Sequence, residues 1–282
     1  MRNYGGLAEE YTQKDSSAIA ILPVPYDGSS TWIKGADKGP EALIEASENM
    51  ELYDIETGTE VYKYGIYTGT PVIIDGTPEE MAQRVKDNIS RLLDIDKFVV
   101  TIGGEHSVSI GAFQAFSEKF KELSILQLDA HSDLRDEYEG SRYNHACVMA
   151  RARELAEIVQ VGIRSMDSIE IGNMDKNRVF FGHDIRLNNK WHSDAISLLK
   201  ENVYLTIDLD VFDPSSVPST GTPEPGGMNY YQVLDFLKEV IKEKNVVGFD
   251  VVELCPIPGH KSSDFLASKL IYQLLSLIFL NK

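Results

Sequence analysis

Six side chains, grouped in three short clusters, have the types and spacing of a metal centre. They are His106, then Asp129, His131 and Asp133, then Asp208 and Asp210. Four carboxylates and two imidazoles are too many for one catalytic zinc, which usually takes three protein ligands. They suit a pair of harder divalent ions such as Mn2+, with carboxylates shared between them. In extended backbone the i, i+2, i+4 spacing of Asp129, His131 and Asp133 would put all three on one face, and Asp208 with Asp210 repeats the i, i+2 step. Without cations such a cluster would repel itself. A lone Asp-x-Asp or Asp-x-His is commonly a solvated turn; the combination carries the signal. His183, His192 and His260 lie in polar segments read as loops, without partner spacing, and are not expected to be ligands.

The clusters need elements that bring them together. Apolar runs at 18–24, 98–102, 123–128, 158–161, 179–181, 203–209 and 246–252 are rich in Val, Ile, Leu and Phe and mostly lack polar alternation. Strands buried on both faces have that composition. Between them lie helix-like stretches. One is opened by Thr77-Pro78-Glu79-Glu80, with Thr as N-cap and Pro at the first helical position; others span 108–120, 145–155, 230–244 and 262–280. The alternation predicts an α/β fold with a mainly parallel sheet between two helical layers, organised as one domain over 1–282. Open parallel sheets bind ligands at the carboxyl ends of their strands. His106, Asp129, Asp208 with Asp210, and Glu253 each sit at or just after the end of such a run. The Gly/Pro-rich segment 214–227 follows an acid-bearing strand and reads as a site loop.

Composition narrows the function. Lys plus Arg number 27 against 44 Asp plus Glu, a net charge of −17 that disfavours nucleic acid and favours a cationic substrate. No apolar run reaches the roughly 20 residues that span a bilayer, and the first residues show no apolar signal core. The only two cysteines, Cys147 and Cys255, sit in apolar surroundings and read as buried thiols of a cytoplasmic protein.

Taken with their order along the chain, these motifs resemble the ureohydrolase family of arginases and agmatinases. The matching elements are Gly103-Gly104-Glu105-His106, Asp129-Ala130-His131-Ser132-Asp133, and Asp208-Leu209-Asp210-Val211-Phe212-Asp213-Pro214 continuing through Thr222-Pro223 to Gly226-Gly227. Pro23-Val24-Pro25-Tyr26-Asp27 with Gly39-Pro40 adds an N-terminal match. The resemblance implies a three-layer α/β/α fold, two Mn2+ ions, and a trimer or hexamer. It implies His106, Asp129, Asp133 and Asp208 as ligands of one ion, and Asp129, His131, Asp208 and Asp210 as ligands of the other. The ions would activate a water for attack on a guanidinium carbon. Asp133 would take the proton of that water, Glu253 would pair with the guanidinium, Thr222 would line the site, and His145 would be a proton shuttle. Ala146 stands where many relatives have Gly.

For the substrate, Arg135 occupies the position where arginases carry an Asn. The acids Asp136, Glu137 and Glu139 would suit a distal ammonium, and Asp167 falls where the family holds a substrate amine. The expectation is agmatine hydrolysis to putrescine and urea, in polyamine synthesis. The nearest alternative is N1-aminopropylagmatine hydrolysis to spermidine and urea. Arginine is disfavoured, and the anionic tails of guanidinobutyrate and formimidoylglutamate would meet the acidic loop. A dinuclear phosphoesterase would need downstream Gly-Asp and Gly-Asn-His motifs, and neither occurs. A binding protein on a decayed scaffold would have lost ligands, whereas all six positions and Glu253 are present.

Overall fold

The computed structural model describes residues 2–188 and 190–280. The predicted apolar runs all become strands of one parallel sheet: β1 (Ile19–Val24), β3 (Phe98–Gly103), β4 (Leu123–Leu128), β5 (Glu157–Ile163), β6 (Val179–Phe181), β7 (Asn202–Asp208) and β8 (Asn245–Val252). An eighth, β2 (Ile66–Thr68), adds an edge that the pattern did not reveal, because only three residues pair there. The order is β2-β1-β3-β8-β7-β4-β5-β6.

Alternation along each strand divides the core in two. Ile19 and Ile21 of β1, Val100 of β3 and Leu205 of β7 face one apolar cluster; Ala20, Leu22, Val99 and Tyr204 face the other. The first cluster is covered by α1 (Gly39–Ser47), α6 (Trp191–Ser197), α7 (Tyr230–Glu243) and α8 (Ser262–Ile278). The second is covered by α2 (Pro78–Leu93), α3 (Ser109–Lys119) and α4 (Val148–Ala152). The remaining helix, α5, is the single turn Gly182–Ile185. Thr77 caps α2 in a reciprocal box with Glu80, as its sequence predicts.

Two expectations change. The stretch 145–155 is a 3-10 turn at His145–Cys147 followed by the five residues of α4. His192 is not in a loop: it lies buried on α6, with its ring 5.2 Å from Phe236 and Nδ1 3.1 Å from Glu239. His183 is exposed on α5, and His260 lies in a turn bridged to Ile257. Cys147 and Cys255 are buried free thiols. Among the described residues, no helix is long and apolar enough to cross a membrane.

Register aligns the ends that matter. Ile102 pairs with Val251, Val251 with Ile207, and Ile207 with Leu128, so four neighbouring strands share one row. The chain positions just beyond that row are Asp208, Asp129, and the segments leading to His106 and Glu253. Gly104 is required here, since a Cβ would lie 2.0 Å from the carbonyl oxygen of Tyr26. That close approach lets Glu105 N donate to Tyr26 O and turns the chain toward His106.

Candidate active site

All six predicted ligands converge at this edge. Each of three aspartates has one oxygen fixed by a peptide N–H. Asp129 Oδ1 accepts from His131 N at 2.6 Å, Asp208 Oδ1 from Asp210 N at 2.9 Å, and Asp210 Oδ1 from Ala130 N at 2.9 Å. The other oxygen faces an imidazole. Asp129 Oδ2 and Asp208 Oδ2 lie 3.1 and 3.4 Å from His106 Nδ1, and Asp210 Oδ2 lies 2.8 Å from His131 Nδ1. Asp133 Oδ2 is also 3.1 Å from His106 Nδ1. Donor atoms gather in two groups that share Asp129: His106, Asp129 and Asp208, and Asp129, His131 and Asp210. Asp208 falls in the first group, beside His106.

The backbone reaches this arrangement differently from the extended strand expected. Asp133 takes a left-handed conformation at φ 51°, and its carbonyl receives the N–H groups of Met149 and Ala150 on α4. Asp208 and Asp210 are brought together by a 3-10 turn that Asp208 caps. Glu253 is also left-handed at φ 66°. Such a conformation is costly for a residue with a long side chain and persists only where surroundings enforce it. Here Glu253 N donates to Gly104 O at 2.7 Å, and Glu253 Oε1 accepts from His106 N at 2.7 Å.

The proton count at His106 tests whether a cation fits. The Thr206 hydroxyl donates to Asp250 Oδ1 at 2.7 Å, and Asp250 also accepts from Tyr204. Having spent its hydrogen, Thr206 Oγ1 can only accept from His106 Nε2–H, 2.8 Å away. In the neutral ring, Nδ1 then points a lone pair at the oxygens of three carboxylates. It has no hydrogen-bond partner among the described residues. A bound cation would satisfy that atom, and an imidazole with its far nitrogen fixed by a hydroxyl–carboxylate pair is the usual support of a metal ligand. The donor set therefore fits divalent ions.

The electrostatics of the bare cluster agree. Burial, with Asp210 and Asp133 nearby, lifts Asp129 to about 7. Burial, reinforced by Asp210 and Asp129, holds Asp208 well above the carboxylate range, and burial with Glu105 does the same to Glu253. Burial opposes charge on the histidines, but Asp210 and Asp129 raise His131 to about 10, and Asp129 and Asp133 raise His106 well above its ordinary value. Against the effect of its burial, Asp210 drops to about 2 beside His131.

Above the cluster opens a cavity of about 320 Å³. It is lined by Glu253, Thr222, His145 and Asp167, as their positions in the sequence predict, and by Trp32 and Ile33 at an exposed rim. The acidic loop is corrected. Asp136, Glu137 and Glu139 are exposed and do not line the cavity; Asp136 turns to Arg151 and Asn173. The loop contributes Arg135 and Tyr138 instead. The Arg135 guanidinium stacks 4.3 Å over the Tyr138 ring, with Nη2 3.2 Å from Asp167 and Nε 3.5 Å from Glu170. Spacing could not reveal this, because Asp167 and Glu170 come from beyond β5.

Two further residues were missed as site builders. Arg164 donates to the carbonyls of Asp210, Glu224 and Pro225, clamping the 214–227 loop that carries Thr222. Glu105, fully buried, accepts from Ser29 N, Ser30 N and the hydroxyls of Ser29 and Ser107, and so pins the 29–33 segment over the cavity.

Residues 17–276 match the Arginase family. The chain is 38% identical over 279 residues to the N(1)-aminopropylagmatine ureohydrolase of Synechocystis sp., covering 95% of this chain and 91% of that protein. It is 33% identical over 267 residues to the agmatinase of Pyrococcus horikoshii, covering 94% and 93%. The crystal structure of the agmatine ureohydrolase of Thermoplasma volcanium superposes with a TM-score of 0.89 at 28% identity, over 99% of this chain and 94% of that one. Fold, site and relatives agree: the chain belongs to the arginase family, the ureohydrolases.

Proposed function

We propose that the chain hydrolyses the guanidinium group of an agmatine-type cation, releasing urea and a polyamine. The observation that carries this reading is one cavity with two features. At its base, carboxylates and imidazoles converge below Glu253; at its wall stands Asp167, a carboxylate for a second cationic end. His106, Asp129, Asp133 and Asp208 would hold one divalent ion, with Mn2+ the expected one, and Asp129, His131, Asp208 and Asp210 the other. When bound, the two ions supply a water acidified for nucleophilic attack.

The remaining steps belong to the chain's own side chains. Glu253 Oε1 is held by His106 N–H, which leaves Oε2 to receive the planar guanidinium. Asp133 takes the proton from the attacking water. His145 hands a proton to the departing nitrogen, so that guanidinium plus water becomes urea plus an ammonium. Asp167 receives the far ammonium while Arg135 holds its other side. Thr222 borders the guanidinium on the clamped loop.

Two observations favour the aminopropyl-extended guanidine over agmatine itself. The cavity continues to an apolar rim of Trp32 and Ile33, which suits a longer methylene chain. The relatives from Synechocystis and Thermus thermophilus, each 38% identical, are N(1)-aminopropylagmatine ureohydrolases. Agmatine is the second reading, supported by the agmatinase of Pyrococcus horikoshii. The test is urea release by Mn2+-loaded protein from both compounds and from arginine, side by side. Higher kcat/KM for N1-aminopropylagmatine is expected. Dominant turnover of agmatine would move the assignment to the shorter substrate, and urea from arginine alone would refute the reading of Arg135 and Asp167.

A further inference from the structure

We infer that Ser29 is a positioning residue that fixes the tautomer of His145, holding its proton on Nδ1 and leaving the Nε2 lone pair free to exchange protons in the cavity. The inference rests on the role of His145 proposed above and extends it to the groups behind the ring.

The argument is a count of hydrogens. Ser29 is buried, and its hydroxyl has three polar neighbours: Glu105 Oε1 at 2.6 Å, His145 N at 3.0 Å and His145 Nδ1 at 3.2 Å. A serine hydroxyl has one hydrogen and two lone pairs. The His145 amide can only donate, so it occupies one lone pair. The Glu105 carboxylate accepts from the amides of Ser29 and Ser30 and from Ser107 Oγ at 2.5 Å. Turned away from Glu105, the hydroxyl hydrogen would leave two oxygens facing each other at 2.6 Å with no proton between them. The hydrogen therefore goes to Glu105. One lone pair of Ser29 Oγ remains, and only a proton on His145 Nδ1 can meet it.

Nε2, on the opposite edge of the ring, has no hydrogen-bond partner among the described residues, and the ring borders the cavity. Tyr138 stands edge-on to the ring, with centroids 6.2 Å apart. The chain Glu105–Ser29–His145 thus does for this imidazole what a buried acid does for a catalytic histidine elsewhere: it selects the tautomer and the orientation. The three residues lie 76 and 116 positions apart in sequence, which hides the relation from any motif.

The first test reads the tautomer directly. Protein with 15N-labelled histidine, loaded with a diamagnetic divalent ion, is observed by 15N NMR at about pH 9, above the ordinary imidazole range. Subtracting the spectrum of a His145→Asn variant isolates the ring. A protonated Nδ1 and bare Nε2 are expected; the opposite tautomer would overturn the inference. The second test is kinetic. Ser29→Ala should lower kcat by about tenfold or more, a part of the roughly 10²–10⁴ that a positioned acid–base supplies, with KM within about twofold. Ser29→Thr, which restores the hydroxyl, should recover most of the loss. Unchanged kcat in Ser29→Ala would overturn the inference. His145→Ala with wild-type kcat would instead remove the proton-carrier role itself. The two failures are distinguishable, because the tautomer readout does not depend on turnover.

Discussion

Replacing Thr206 with valine keeps the shape of a fully buried side chain on β7 and removes one hydroxyl. That hydroxyl receives His106 Nε2–H at 2.8 Å and donates to Asp250 at 2.7 Å. Without it the ring loses the bond that aims Nδ1 at Asp129, Asp133 and Asp208, and Asp250 keeps Tyr204 as its remaining hydroxyl donor. Loss of such a support typically weakens a metal site 10–100-fold, which is about 1.4–2.8 kcal/mol at about 1.4 per decade. Leaving a buried acceptor short of a partner costs roughly 1–3 kcal/mol of stability, with or without metal. The geometry makes the effect unequal. His106 belongs to one donor group, whereas Asp129, His131 and Asp210 form the other without it. A metal titration against a competing chelator should therefore show one of two binding steps weakened and the other nearly unchanged. Thr206→Ser should restore the weakened step. If folded Thr206→Val bound both ions within twofold of wild type, the derivation of the His106 proton arrangement would be wrong.

Other consequences follow from the same geometry. In metal-free protein the raised value of His131, about 10, keeps that ring protonated near pH 8, so metal binding there should release protons, at least one per chain; calorimetry in buffers of different ionisation heat measures this, and no release would contradict it. The raised value of His131, about 10 against an ordinary ~6.5, gives its sign to stability: its contribution is complete below the ordinary value and lost as pH rises through about 10. Thermal unfolding of metal-free protein should accordingly fall between pH 8 and 11 more steeply than that of loaded protein. Trp32→Ala should raise KM for N1-aminopropylagmatine about two- to fivefold, the worth of an exposed cation–π contact, and leave that for agmatine nearly unchanged. Arg164→Met should cost about 2 kcal/mol, the scale of one charged hydrogen bond. It should also open the 214–227 loop to limited proteolysis; unaltered cleavage would show that the loop holds itself.

The sequence exposed what repeats locally and concealed what depends on distance. Seven strands were legible because burial on both faces demands unbroken Val, Ile, Leu and Phe. β2 was not, because a three-residue edge makes no pattern. Helix α1 escaped notice because its first residues, Gly39-Pro40, read as part of a motif, and Lys38 ahead of it offers no side-chain cap. The six positions of the metal centre were legible because each lies at a strand end or within five residues of one. The left-handed backbones of Asp133 and Glu253 were not, since they are imposed by Met149, Ala150 and Gly104. Arg135 was legible only as the residue standing where arginases carry an Asn; the fold alone brings Asp167, Glu170 and Tyr138 to it. Neighbouring acids read as an ammonium site turned outward, because local charge says nothing about which way a loop faces.

The order of the sheet has a consequence for how the protein is made. β8 is the last strand along the chain, yet it lies in the middle, between β3 and β7. Until it arrives, the earlier strands can form only two separate sheets, β2-β1-β3 and β7-β4-β5-β6, each with an open edge facing the gap. Such edges are templates for pairing with other chains, and parallel pairings between distant segments are slow to form. His106 follows a strand of the first half; Asp129, His131, Asp133, Asp208 and Asp210 follow strands of the second. Insertion of one eight-residue strand thus closes the sheet, joins the two sets of ligands and delivers Glu253 in a single event. During synthesis the donor group that needs His106 cannot assemble while the edges are most exposed, and the centre is completed only after that strand is in place.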